Sequence, residues 1–173
     1  ATSEVLRANP VELALSAASG EFEPVTVGIY PLQDLANISL SANADFTGPA
    51  GTIPNTNIDI RLVKYFEAST AGYSRSMVGQ DNFVYHIEPR HLIKRTTINL
   101  EKNIPKTYWI TVKLPPGTQA GDYSTDLTLQ TPVGPQTIKL KLTVYPFTLK
   151  DSPVTSFLHY YAPFEFGNQV SQA

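Results

Sequence analysis

Cysteine is absent from all 173 residues. That excludes disulfides, thiolate metal sites and a cysteine nucleophile, and leaves the fold to stand on apolar burial without covalent staples. No apolar run approaches the roughly 18 residues needed to cross a bilayer, so membrane insertion is not expected. The first residues lack the basic and apolar regions of a signal peptide, and the chain reads as a mature or trimmed fragment. An excess of positive charge is missing too. With a formal charge of −2 and a pI near 5.9, nothing favours phosphate backbones or anionic lipid, and no nucleic-acid partner is expected. The phosphate-cradling patterns GxxxxGK[ST] and GxGxxG, the nucleophile elbow GxSxG and the zinc motif HExxH do not occur, and no cofactor is expected.

What is abundant is turn and strand chemistry. Fourteen prolines and nine tyrosines tilt the class towards strands and turns and away from helices. A chain of this length buries roughly 70% of the surface its unfolded form would expose, enough for one core. The clearest stretch is Tyr108 to Val144. Tyr108, Ile110, Val112 and Leu114 alternate with polar residues, as do Tyr123, Thr125, Leu127 and Leu129, and then Ile138, Leu140, Leu142 and Val144. Period two, three times running, with PPGTQAGD and TPVGPQ between, predicts a three-strand meander with one wet face.

Earlier in the chain, Val11, Leu13 and Leu15 begin a strand that closes in a turn at Ala17 to Gly20. A second strand runs from Phe22 to Tyr30, where Pro24 marks an edge or a bulge because it lacks an N–H. Ile38, Leu40 and Ala42 form a third. The Gly-, Pro- and Asn-rich DFTGPAGTIPNTN reads as a loop leading to a fourth strand with Ile58, Ile60 and Leu62 inward. Asn55, Asn57 and Asp59 alternate as in a cation loop, but the glycine and distal Glu of an EF-hand are missing, so a structural turn is expected. Clean periodicity lapses from Glu67 to Arg95, where FVYHI offers a further strand; it resumes at Thr96 to Leu100. VTSFLHYY, near the end, is one more candidate.

Eight or nine short strands with little helix predict an all-β, two-sheet, mainly antiparallel β-sandwich, immunoglobulin-like or jelly-roll-like. It spans residues 1–150, with 151–173 as a tail. The expected interior is Leu13, Val25, Val27, Ile29, Ile38, Leu40, Ile60, Leu62, Ile98, Ile110, Val112, Leu127, Leu129, Leu140, Leu142 and Val144, each on the apolar parity of its strand.

Three sets of residues invite chemistry. His86, Glu88, Arg90 and His91 are the densest titratable cluster; on an extended strand His86, Glu88 and Arg90 share a face while His91 opposes His86, which favours structural or interface use over a metal or acid–base site. Asp122, Asp126, Glu21 and Glu23 sit in turns or on polar faces, where solvated charge is the commoner use than a glycosidase pair. Trp109 falls on the polar face of its strand, beside Thr111 and Lys113. An outward indole suits stacking on a sugar ring or cover by a second domain, and Tyr65, Tyr73 and Tyr85 share that ambiguity. The candidate carbohydrate-binding or interdomain residues are therefore Trp109, Tyr65, Tyr73, Tyr85, His86, Arg90 and His91, with no catalytic or metal residue.

At Gly20 to Leu40 and Tyr108 to Leu129 the sequence resembles the N-terminal β-sandwich domain of glycoside hydrolase family 123 and related bacterial proteins. Gly20, Glu21, Phe22, Glu23 and Pro24 carry the first block; Trp109, Thr111, Val112, Leu114, Pro115, Gly121, Asp122 and Tyr123 carry the second. Phe22 stands where relatives have Tyr, and Ser124 and Thr125 follow Tyr123 where they often have glycine. The resemblance implies an accessory module, not itself an enzyme, whose partner is a downstream catalytic (β/α)8 barrel of the same polypeptide, with glycans as possible ligands. The tail after Val154 would enter that barrel. The resemblance also implies export as part of a larger bacterial protein, to the periplasm, cell surface or medium.

Overall fold

The computed structural model describes residues 11–69, 85–95 and 97–149, without the side chains of residues 68, 69, 85 and 86. Its strands are β1 (Val11–Ser19), β2 (Phe22–Ile29), β3 (Leu35–Ala42), β4 (Phe46–Gly48), β5 (Gly51–Ile53), β6 (Ile58–Ser69), β7 (Tyr85–Ile93), β8 (Ile98–Leu100), β9 (Lys106–Lys113), β10 (Gly121–Gln130) and β11 (Gln136–Thr148). The helix found among the described residues is one 3₁₀ turn at Asn55–Asn57. The tail beyond residue 149, with the strand expected at VTSFLHYY, lies outside the described residues, as do residues 1–10.

Two sheets pack face to face as a β-sandwich. One runs β1-β11-β10-β3-β8 with a β4–β5 hairpin attached to β10, and the other runs β2-β9-β6-β7. Every pairing is antiparallel except β1 with β11, which run side by side from Val11 opposite Ile138 to Ala17 opposite Val144. Pro24 lies on β2, at the edge of its sheet, where its missing N–H costs no ladder bond.

The interior follows the alternation. Val27, Ile38, Leu40, Leu62, Ile98, Ile110, Val112, Leu127, Leu140, Leu142 and Val144 are buried, while Leu13, Val25, Ile29, Ile60 and Leu129 pack against them half-buried at the margin. Each full burial of such a side chain contributes about 1.5–3 kcal/mol relative to exposure. Tyr108, Leu100, Leu114, Tyr123, Ile138, Leu15, Ala17, Phe46 and Ile53 belong to the same cluster.

Two expectations are corrected. The three strands from Tyr108 to Val144 do not form a meander, because β9 belongs to the four-stranded sheet while β10 and β11 form a hairpin in the other. Alternation reports which face of a strand is apolar, and both sheets turn that face to the shared core, so it cannot say which sheet a strand joins. Nor is DFTGPAGTIPNTN simply a loop: β4 and β5 form a hairpin within it that buries Phe46 and Ile53. Three-residue strands are too short to show a period.

Candidate functional site

The outward face of the four-stranded sheet carries the site. Because Tyr108, Ile110 and Val112 turn inward, Trp109 turns outward, with Thr26 of β2 and Arg61 of β6 beside it in register. One step along, Thr107 and Leu92 flank Val63, and one step further Tyr65 pairs with Pro89. These side chains enclose a groove of about 430 Å³ lined by Thr26, Val63, Tyr65, Pro89, Arg90, His91, Leu92, Thr107 and Trp109. Its floor is Val63, which is only 6% exposed although it points away from the core. A β-branched residue hidden on an outer face needs rings over it, and Trp109 and Tyr65 stand on either side.

The polar groups are largely committed. The Trp109 indole N–H donates to Thr111 Oγ1 at 3.2 Å, so what the ring still offers is its face. The Tyr65 and Thr107 hydroxyls share one bond of 3.0 Å, leaving one O–H proton between them for a ligand. Arg90 occupies a β-bulge, since the register steps from Tyr65 opposite Pro89 to Lys64 opposite His91. Its guanidinium pairs with Glu88 at 3.1 Å. Arg61, beside Trp109, pairs in the same way with Asp59.

Four of the expected residues, Trp109, Tyr65, Arg90 and His91, thus meet at one groove. His91 contributes to the wall, but its ring lies 5.1 Å from that of Phe66 at 86°, an edge contact. The bulge alters the expected strand geometry, since Arg90 is the extra residue, yet Glu88 and Arg90 still meet. Tyr73 lies outside the described residues, and so do the side chains of Tyr85 and His86. Val63, Thr26, Thr107, Pro89 and Leu92 were not foreseen: Val63 and Tyr65 on the polar parity of β6 were the sequence signal, but only the register joins them to Trp109.

The other candidates are structural. Asn55 donates its backbone N–H to Asp45 and its side-chain amide to the Ala42 carbonyl, while Asp59 faces Arg61. Asn55–Asn57 is therefore a 3₁₀ turn leading into β6, with the side-chain amide N–H groups of Asn55 and Asn57 donated to backbone carbonyls and Asp59, on β6, paired with Arg61. Glu21 accepts from the Ala18 N–H at 2.8 Å, and Asp122 accepts from the Thr143 hydroxyl at 2.7 Å. Among the described residues, no group of three or more His, Asp or Glu side chains is placed to hold a metal ion.

The two sequence blocks at Gly20 and Trp109 also meet. Leu114 donates its N–H to the Glu21 carbonyl at 2.8 Å, and the Ser19 hydroxyl, nearly buried, bridges the Pro115 carbonyl and the Gly117 N–H. Gly20 adopts φ +88°, a left-handed turn that only glycine enters without strain. Tyr123 returns its hydroxyl to the Gln119 carbonyl four residues upstream, at 2.8 Å. These contacts tie the β1–β2 connection to the β9–β10 connection.

The glycoside hydrolase 123 N-terminal domain model matches residues 12–131. The chain belongs to this family. Among solved structures, a family 123 glycoside hydrolase from Clostridium perfringens is similar with a TM-score of 0.68 at 19% identity, covering 79% of this chain and 23% of that one. At that identity the likeness speaks to the fold. The chain spans about a quarter of that relative. The Vibrio cholerae VesB protease, with a TM-score of 0.34 at 10% identity, covers 78% of this chain and 30% of its own. The CooA pilin subunit from enterotoxigenic Escherichia coli, with 0.36 at 12%, covers 78% of this chain and 90% of its own. Likenesses that weak carry no argument. No curated protein sequence matches the chain. The part of the family that the chain matches is its N-terminal domain.

Proposed function

We propose that the chain is a noncatalytic accessory β-sandwich of a larger glycoside-hydrolase-like protein, exported from a bacterium, that packs against and supports the catalytic domain following it. The observation that carries this reading is the match to an N-terminal module spanning only 23% of a family relative, which leaves most of such a protein downstream. The Clostridium perfringens enzyme is described as hydrolysing glycolipid glycans, and the parent of this chain is read as acting on a glycan. A surface suited to docking supports the same reading. Tyr145, Phe147 and Leu149, exposed by 42%, 53% and 55%, continue the outward parity of β11 where the described chain ends. The Tyr145 and Phe147 rings stack at 5.6 Å, so they present one apolar strip instead of scattered side chains.

Mixing this chain with the separately expressed downstream polypeptide and following the complex by size-exclusion chromatography tests the reading. Association is expected, and it should be lost in Tyr145→Ser/Phe147→Ser. No association, together with unchanged hydrolase activity when the module is deleted, would remove the accessory role. Cell fractionation of the native host tests export. A second reading, a carbohydrate-binding module, is supported by the groove around Trp109.

A further inference from the structure

We infer that the groove between Trp109, Tyr65 and the β7 bulge is a binding site for an uncharged pyranose, seated by its apolar C–H face. The inference develops the carbohydrate-binding reading and rests on it. Three features of the groove lead there. The indole face and the Tyr65 ring bracket a sunken apolar floor at Val63, and the groove volume falls within the few-hundred-Å³ range typical of small-ligand sites. The rim is hydroxylic where a sugar would need it: Thr26 is exposed, and the Tyr65–Thr107 pair retains one O–H donor and free lone pairs. The charge is already cancelled, since Arg90 pairs with Glu88 and Arg61 with Asp59, each two residues apart on its own strand. An anionic sugar would therefore have to compete with a carboxylate for either guanidinium, whereas a neutral sugar needs only the ring faces and the hydroxyls.

Its position leaves the groove open under the docking proposed above. Trp109 and Tyr65 point from the outer face of the β2-β9-β6-β7 sheet, while Tyr145 and Phe147 continue the outward parity of β11 in the other sheet. A domain seated on the second face does not cover the first.

Trp109 is the sole tryptophan of the sequence, so emission excited selectively at tryptophan reports on this groove under native conditions. The 173-residue chain is titrated with glucose, galactose, N-acetylglucosamine, lactose and cellobiose, with glucuronic acid as the anionic comparison. A saturable change in emission is expected with at least one neutral sugar. Tyr65→Ala should weaken its midpoint about tenfold, the loss of one stacking partner. Tyr65→Phe, which keeps the ring, should weaken it less, and Phe147→Ser, on the other sheet, should leave it unchanged. Far-UV circular dichroism and urea midpoints establish that Tyr65→Ala is folded. No saturable change with any neutral sugar overturns the inference, as does a response to glucuronic acid alone or one that Tyr65→Ala leaves intact. Failure here leaves the docking reading standing, because size-exclusion association is measured without sugar; failure of association leaves this titration unaffected.

Discussion

Replacing Gly48 by Ala should be among the most damaging single-methyl changes in this domain. Gly48 closes β4 against β10, and a Cβ built there would lie 2.2 Å from the Asp122 carbonyl oxygen and 3.0 Å from the Tyr123 ring. The first contact is with backbone in the middle of the sheet, so no side chain can swing away. The hairpin must retreat by roughly an ångström, which loosens the Thr47–Ser124 pairing and lifts Phe46 from a site where it is fully buried. Overpacking of this kind costs about 1–3 kcal/mol, and the partial loss of Phe46 burial places the expected cost near the upper end, about 3 kcal/mol. Gly28 is the matched control. It lies inside β2 with nothing within 4 Å of its would-be Cβ, so Gly28→Ala should be neutral or stabilising by about 0.4–1 kcal/mol through the unfolded chain. Urea denaturation followed by Trp109 emission reads both. If Gly48→Ala unfolds at the wild-type midpoint with an unchanged slope, the close approach of β4 to β10 is wrong.

Tyr108 is 1% exposed with no partner for its hydroxyl among the described residues, and burial raises its pKa above the usual 10. The folded state therefore holds the phenolic proton more tightly than the unfolded one, so the contribution of this group to stability is constant below pH ~10 and is lost as pH rises above it. Tyr108→Phe should remove that alkaline loss and be neutral or stabilising at pH 7, because an unsatisfied buried hydroxyl is removed; a clear destabilisation at pH 7 in thermal melts would show that the hydroxyl has a partner. Ile110→Ala and Leu127→Ala, both at fully buried positions, should each cost about 2–5 kcal/mol, whereas Lys139→Ala and Lys141→Ala should stay within about 0.5 kcal/mol even though Lys141 meets Glu12 at the surface. Equal losses in urea titrations of the two pairs would contradict the strand parity.

How much was legible in the sequence depends on how local each feature is. The parity of β9 and β11 was plain, because half-buried strands must alternate, and Pro24 announced an edge because it cannot serve two neighbours. Sheet membership was not legible: β9 and β10 are joined by a connection that crosses between sheets, and β1 lies parallel to β11, the most distant strand in sequence. The β4–β5 hairpin hid among Gly and Pro residues that also mark loops. In β7, FVYHI suggested a strand, but Pro89 and the bulge at Arg90 broke the period beyond it, so its run to Ile93 was not legible. For the groove, the outward turn of Trp109 could be read from its neighbours, while its meeting with Tyr65 and Val63 depends on the β6–β9 register, which no single strand encodes.

The account assigns the two outer faces to different partners, and hydrogen–deuterium exchange compares them in one experiment. The 173-residue chain is measured alone and joined to the polypeptide that follows it. Protection gained at residues 143–149, with residues 61–65 and 107–111 unchanged, is the predicted result. Protection gained around Trp109 and Tyr65 with none at Tyr145 and Phe147 would contradict it, making the groove the interdomain contact and leaving no open site for a sugar.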